Sequence, residues 1–556
     1  MLREARIKSR DPAQTAAKAE NAVLPAPVGG WSSDASIALE NPSAAEVMEN
    51  FFPTTKGVRA RGGARRFATT GLTAIQDCLV YVGTNSEKLF AAANGKLYDV
   101  TSVINPYDVP PAVVTGQTSN EYSYVNFATA GGDFMLCFNG TDLHRVYDGA
   151  TWTANTPAIT GVSSANINQV AVHANRVWMV QKDSKVAWYL PIDSVGGVAI
   201  SFALTGVFKR GGKLLFISTW SQDAGDGSSD RCVFVSDQGE VAVYGGDYPG
   251  GTWKIFGRYD IARPMGRFAF QRVGGDLLIL TLNGIVPMSE VVSKDPAALT
   301  TTAITKYIEP DWKELTEQFA DRNWRFMKWD QRNLGIISIP SNTTQVTGSS
   351  VWGESFVWGL SPWGSGWTIE VPIGVPTCFA VNLKTGRWAK ITGWDCRSMA
   401  IFKDEFVFGT SSGAMLYGDK GGNDDGNSYE CRLAYWPSRF DYVGEKQFLQ
   451  ARSVFEHSTS FNPKISISVN NKITWSSQPG PPSEDNTSSL WDSGLWDVAV
   501  FDAKGEKRVR TEKWVSLGRR GHVGALMLQM TFNNSTTPDV EYTDTIITYE
   551  KAALVT

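Results

Sequence analysis

The chain has 556 residues, 42% of them hydrophobic and 19% charged, with 52 basic against 56 acidic side chains. That length exceeds one ordinary domain, and that composition excludes a disordered chain. A net charge of −4 makes the whole protein a poor electrostatic partner for free nucleic acid.

The opening residues, MLREARIKSRDPAQTAAKAEN, read as a polar, charge-mixed arm to about residue 24, without the apolar stretch of a secretion signal. No uninterrupted apolar run reaches the roughly 18 residues a membrane span requires, so no span is expected. Asn41 followed by Pro42 predicts a short helix to about Glu49, with an N-cap oxygen and a proline in its first turn. FFPTTKGVRARGG then reads as a turn into an extended basic strand, and Arg59, Arg61, Arg65 and Arg66 cluster there. The cluster is open to three uses: phosphate contact with passing DNA, pairing with an acidic neighbouring subunit, or a solvated edge strand whose charges deter aggregation. Residues 1–70 are expected to form an arm and linker strand.

Over residues 71–428 one unit recurs. Its clearest copy is CVFVSDQGEVAVY (Cys232 to Tyr244), in which two Val- and aromatic-rich runs flank a Gly-containing turn, the pattern of an antiparallel hairpin. Further copies are LFAAANGKLY, FMLCFNGTDLHRVY, VWMVQKDSKVAWY, LLILTLNGIVPM and FVFGTSSGAMLY. The closing residues Tyr98, Tyr147, Tyr189, Tyr244 and Met288 lie 49, 42, 55 and 44 positions apart. The gap of 129 from Met288 to Tyr417 leaves room for one more copy, split between LGIISIP and TCFAVNLKTGRW. Polar turns before several units and Gly turns into Trp152, Trp253 and Trp388 after others outline four-stranded meanders. A period of roughly 45 residues is that of a β-propeller blade, so an all-β propeller of six or seven blades is expected.

Within the propeller, EPDWKELTEQFADRNW predicts a helix with Trp312, Leu315 and Phe319 on one face. The split unit carries an insertion at 341–372 in which Trp352, Trp358, Trp363 and Trp367 lie among Gly and Ser. Such an insertion must project from the blade. Its tryptophans are expected to pack against a neighbouring subunit, in a lower tube or closing tip, or else on their own propeller. Over residues 429–556, strand-like runs such as FLQARSVFEH, PKISISVN and GALMLQMTF, separated by polar loops, suggest an appended β-sandwich serving as platform or collar. The repeated LWDSGLWD there carries Trp491 and Trp496.

Little in the chain points to catalysis. His144, His173, His457 and His522 make no metal or triad spacing, and no phosphate-binding loop precedes a helix. Cys78, Cys137, Cys232 and Cys378 sit in or beside apolar runs and read as buried free thiols. The acidic loops at 223–230 (Asp223, Asp226, Asp230) and 423–430 (Asp424, Asp425, Glu430) lack calcium-loop spacing, and the second reads as a domain boundary. No enzyme activity, cofactor or metal is expected.

The run PVGGWSSDASIALENPSAAEVMENFFPTTKGVRARGG (Pro27 to Gly63) resembles the opening of the tail nozzle proteins, often called tail tubular protein B, of short-tailed bacteriophages and related prophages. The resemblance continues in YVNFATAGGDFMLCFNG, in LKTGRWAKITGWDCRSMAIFKDEFVFGTSSG and in the acidic helix near Pro310, and is looser toward the carboxyl end. It implies a propeller with an appended β-domain, and a homohexameric ring beneath the portal and its adaptor protein. Tail fibres or spikes would be neighbours, and double-stranded DNA would pass through without tight binding. The location implied is the virion tail, assembled in the host cytoplasm. Two other functions stay open: a receptor- or glycan-binding propeller, and a propeller glycosidase, although Ser236-Asp237-Gln238-Gly239 departs from the sialidase turn.

Overall fold

The computed structural model describes residues 19–34, 43–221, 230–320, 322–340, 343–349, 366–475, 477–481 and 508–551. The repeating units fold as seven small antiparallel sheets, here blades 1 to 7. Their first strands are Asp77–Val82, Ser123–Thr129, Ile167–His173, Leu214–Ser221, Phe270–Val273, Arg325–Trp329 and Ser398–Phe402. First strands of neighbouring blades lie side by side, except that Leu214–Ser221 of blade 4 meets the second strand of blade 5, Asp276–Thr281; the seventh returns to the first, so the sheets close into a seven-bladed propeller.

Each unit read from the sequence supplies the second and third strands of its blade. In blade 4 these are Asp230–Ser236 and Glu240–Gly245, with Cys232 opposite Tyr244. The turn needs its glycine: Gly239 sits at φ +79°, and a Cβ there would lie 2.2 Å from the Ile261 carbonyl oxygen. The nearly continuous apolar runs follow from burial on both faces. Separate apolar clusters fill the spaces between neighbouring blades, for example Leu79, Phe90, Met135 and Tyr147 between blades 1 and 2. Trp178, Phe234, Tyr244 and Trp253 fill the space between blades 3 and 4.

Three blades depart from a simple meander. Blade 5 has three strands among the described residues, and helices follow it. The longest, Glu309–Phe319, buries Trp312 and Phe319 as its spacing predicts, and Trp312 Nε1 donates to the Thr281 carbonyl at 3.0 Å. Blade 6 joins Leu334–Ser338 to Thr377–Asn382 around the insertion, whose Thr343–Ser349 and Gly366–Pro372 form a separate two-stranded hairpin. Blade 7 takes its outermost strand, Ala64–Thr69, from far upstream, pairing Ala64 with Gly418 and Thr69 with Ala414.

The sandwich also draws on the amino-terminal region, which corrects the expectation of an arm and linker over 1–70. Glu20–Pro25, Phe51–Pro53 and Val58–Ala60 join Lys446–His457, Val509–Gly521 and Val540–Lys551 in one sheet. Ala45–Glu49 joins Tyr429–Tyr435, Gly524–Phe532 and Lys464–Val469 in the other. The helix expected up to Glu49 is therefore a strand where it is described. Asn41 and Pro42, which would have started the helix, lie outside the described residues. The physical reason is tertiary: Ala45 and Met48 are buried against the sandwich core, and Asn50 at φ +62° turns the chain straight into Phe51–Pro53. Through a parallel bridge from Glu49 to Lys390, this second sheet is continuous with blade 6.

Candidate functional site: the domain junction and the axial channel

The basic cluster lies where propeller and sandwich meet. Arg61 is fully buried and uses all five of its N–H donors. Nε donates to Asn50 Oδ1 (2.8 Å), Nη1 to the Gly62 carbonyl (2.8 Å) and Asp424 Oδ1 (2.9 Å), and Nη2 to the Thr392 carbonyl (3.0 Å) and Asp424 Oδ2 (2.6 Å). Its guanidinium lies 3.9 Å from the Tyr429 ring centre and 5.1 Å from that of Trp394. Burial works against the charge, but Asp424 outweighs it and holds the guanidinium protonated. Arg59 pairs with Asp419 at 2.9 Å, a carboxylate it shares with Arg332 at 3.0 Å. Arg66 pairs with Asp425, and Arg65 lies 6.0 Å from the Tyr417 ring. The cluster thus meets the acidic loop of its own chain, and Asp424 and Asp425 are partners of arginines at the domain boundary.

The glycines of the same run fit this closure. A Cβ on Gly63 would lie 2.0 Å from the Asn423 carbonyl oxygen. Trp31 is buried, its backbone N–H donates to the Trp388 carbonyl at 2.7 Å, and its ring meets Phe379 at 5.1 Å.

The second feature is the propeller axis. First-strand residues of all seven blades, among them Tyr124, Gln169, Ser218, Gln271 and Met399, line a cavity of about 440 Å³. Two arginines cross its mouth. Arg325, at the start of blade 6, donates to both carboxylate oxygens of Asp77 in blade 1 at 2.9 and 3.1 Å, and to the Gln76 carbonyl at 3.2 Å. Arg267, just before blade 5, reaches Glu121 ahead of blade 2 at 3.1 Å and the Asn168 carbonyl in blade 3 at 3.2 Å. The Phe268 ring sits within 4.8 Å of both guanidinium carbons. Burial pulls the Arg267 pKa below its ordinary value despite Glu121, whereas Asp77 lifts that of Arg325 against the same burial penalty.

These four residues were not singled out from the sequence. Their one local mark is a charged residue directly before an apolar one, at or up to three residues ahead of the start of a first strand: Asp77-Cys78, Glu121-Tyr122, Arg267-Phe268, Arg325-Phe326. The insertion leaves and rejoins the propeller at this mouth, since Pro340 and Pro376 line the same recess as Glu121, Asn323 and Arg325. Trp352, Trp358 and Trp363 lie outside the described residues, as do Trp491 and Trp496. Trp367 lies in the hairpin, opposite Gly348.

Side chains with chemical potential elsewhere are occupied structurally. His144 is buried against Phe138, and its Nε2–H donates to the Pro157 carbonyl at 3.2 Å; burial lowers its pKa to about 4. His173 meets Thr219 at 3.2 Å and is also lowered by burial. All six cysteines are buried free thiols. Asp230 begins a strand rather than lying in a loop, and Asp223 and Asp226 fall outside the described residues. Among the described residues no group of three or more His, Cys, Asp or Glu could hold a metal ion. Nor is any described helix long and apolar enough to cross a membrane.

No protein-family model matches the chain, and no curated protein matches it in sequence. Among solved structures it is similar to the BBS1N chain of the crystal structure of BBS1N in complex with ARL6DN, soaked with mercury. The identity is 9% and the TM-score 0.31, over 65% of this chain and 97% of that one. The propeller assignment rests on the strand order and ring closure described above.

Proposed function

We propose that the chain is a structural subunit of a short bacteriophage tail, a nozzle protein that closes with further copies into a six-membered ring through which the genome leaves. The observation that carries this reading concerns the run Pro27 to Gly63, on which the resemblance chiefly rests. In its described parts Trp31, Asn50, Arg59, Arg61 and Gly63 fasten propeller to sandwich, so the run's chemistry is architectural. A passage that must keep its shape while a charged polymer slides through calls for such a fastening. Three of the four arginines that could have gripped phosphate, Arg59, Arg61 and Arg66, are engaged with aspartates of the same chain, which suits transit without tight binding. Arg267 and Arg325 cross the propeller's own axis, so the passage would be the lumen between subunits. The adaptor protein beneath the portal and the tail fibres or spikes are the partners this reading names.

Electron microscopy of the purified protein, alone and with isolated tails, tests the proposal. Closed six-fold rings coaxial with the tail are expected, and a persistent monomer absent from the tail would overturn it. A receptor- or glycan-binding propeller is the second reading, because the hairpin rises beside the polar axial mouth. Selective glycan-array binding by the monomer would favour it.

A further inference from the structure

The rim of the propeller is unevenly covered. The outermost strand of blade 6, Arg387–Thr392, is bridged by Ala45–Glu49, and that of blade 7 leads directly into the junction. The helices after blade 5 bury Met288, Val291 and Leu299 against its core. Blades 1 to 4 have no further strand outside their fourth one among the described residues.

Two stretches of that free rim are apolar. On blade 1, Ile104 is fully exposed, and Tyr107, Val109 and Val113 are each more than two-fifths exposed. On blades 3 and 4, Val198, Ile200, Ile255 and Phe256 are about half exposed or more. Both groups sit at the connection between third and fourth strands or early in the fourth. In an antiparallel meander that connection lies on the face opposite the one from which the blade 6 insertion projects. The two patches therefore stand at the same height on the rim. Each groups four large exposed apolar side chains within a short stretch of one corner, and the largest apolar patch on a monomer, a few hundred Å², is often a functional one.

We propose that these patches are the two halves of one head-to-tail contact, the blade 1 corner of one copy seating on the blade 3–4 corner of the next. This rests on the ring reading above and names its surface. Two arguments favour a second copy of this chain as the occupant. The first is angular. Seven blades stand about 50° apart, so the patches are separated by roughly 130° around the axis. Closing a ring of six copies with parallel propeller axes needs contact faces turned by about 120°. The second is area. Mating the patches removes several exposed apolar side chains of each copy from water, and supplies the apolar centre around which a stable interface of ~1,200 Å² or more is built.

Two double variants test the inference: Ile104→Asp with Val109→Asp, and Ile255→Asp with Phe256→Asp. All four sites are exposed, so both proteins should melt like the unaltered one. Light scattering should find rings for the unaltered protein and monomers for each variant. An equimolar mixture of the two variants should give dimers, because one intact pair of faces remains. Rings formed by both variants would overturn the contact while leaving the ring reading standing. An unaltered protein that stays monomeric, even with isolated tails, would remove both.

Discussion

Arg61 and Tyr429 hold each other from both ends. The guanidinium lies 3.9 Å from the phenol ring centre, and the Tyr429 hydroxyl donates to the Arg61 carbonyl at 2.7 Å. One residue belongs to the amino-terminal run and the other opens the carboxyl-terminal sandwich, so the clasp joins chain segments 368 positions apart. Arg61→Met leaves Asp424 facing a neutral side chain and should cost about 3–5 kcal/mol in urea unfolding. Arg61→Lys should recover little of it, since an ammonium cannot serve a five-donor planar site.

Deleting residues 1–60 should abolish cooperative folding rather than trim an arm. The deletion removes four strands of the sandwich and Asn50, whose Oδ1 accepts from Arg61 Nε at 2.8 Å. Soluble expression with an unchanged melting transition would refute this, and circular dichroism on the shortened chain decides it.

Across the axial mouth, Arg325→Leu should destabilise the propeller by about 3–5 kcal/mol, because Asp77 remains buried without its partner. Pairing it with Asp77→Leu should restore much of the loss, since two apolar side chains leave no charge unsatisfied. A double-mutant cycle in urea gives the coupling, and strictly additive losses would show that the pair does not act as a unit.

Stability should fall on acidification from pH 6.5 toward pH 4. His144 has its pKa lowered to about 4 by burial. The folded state therefore binds fewer protons than the unfolded chain, whose histidine titrates near 6.5. The stabilising contribution is complete above that value and lost as pH descends through the window, with about 3 kcal/mol as its ceiling. His173 is shifted in the same direction. Denaturation midpoints at pH 7 and pH 5 should differ, and His144→Phe, which keeps the stacking on Phe138, should flatten the difference.

Ring assembly should survive high salt, because the proposed contact is apolar, whereas affinity for duplex DNA should be weak. Sedimentation in 0.1 M and 1 M salt checks the first, and a filter-binding titration checks the second. A tight DNA complex that dissolves as salt rises would contradict the reading of the arginine cluster.

The propeller was legible because its information is local. A hairpin such as Cys232 to Tyr244 carries its own turn glycine, β-branched strands and closing aromatic, and repetition at a steady period announces radial packing. The helix at Glu309–Phe319 was legible for the same reason, its buried face being written at helical spacing. Ala45–Glu49 was misread because a short segment without clear periodicity takes its conformation from its neighbours, here Tyr429–Tyr435 on one side.

Sequence alone therefore determined the all-β class and the blade unit, since strand and turn preferences act within a dozen residues. Only the tertiary structure decided that the ring has seven blades, that Ala64–Thr69 completes the last of them, and that Arg61, Asp77, Arg267 and Arg325 tie distant segments together. Arg61 meets Asp424 across 363 positions, and Arg325 meets Asp77 across 248. A charge finds such a partner only after the sheets have closed and excluded water, so no window of sequence contains the pair.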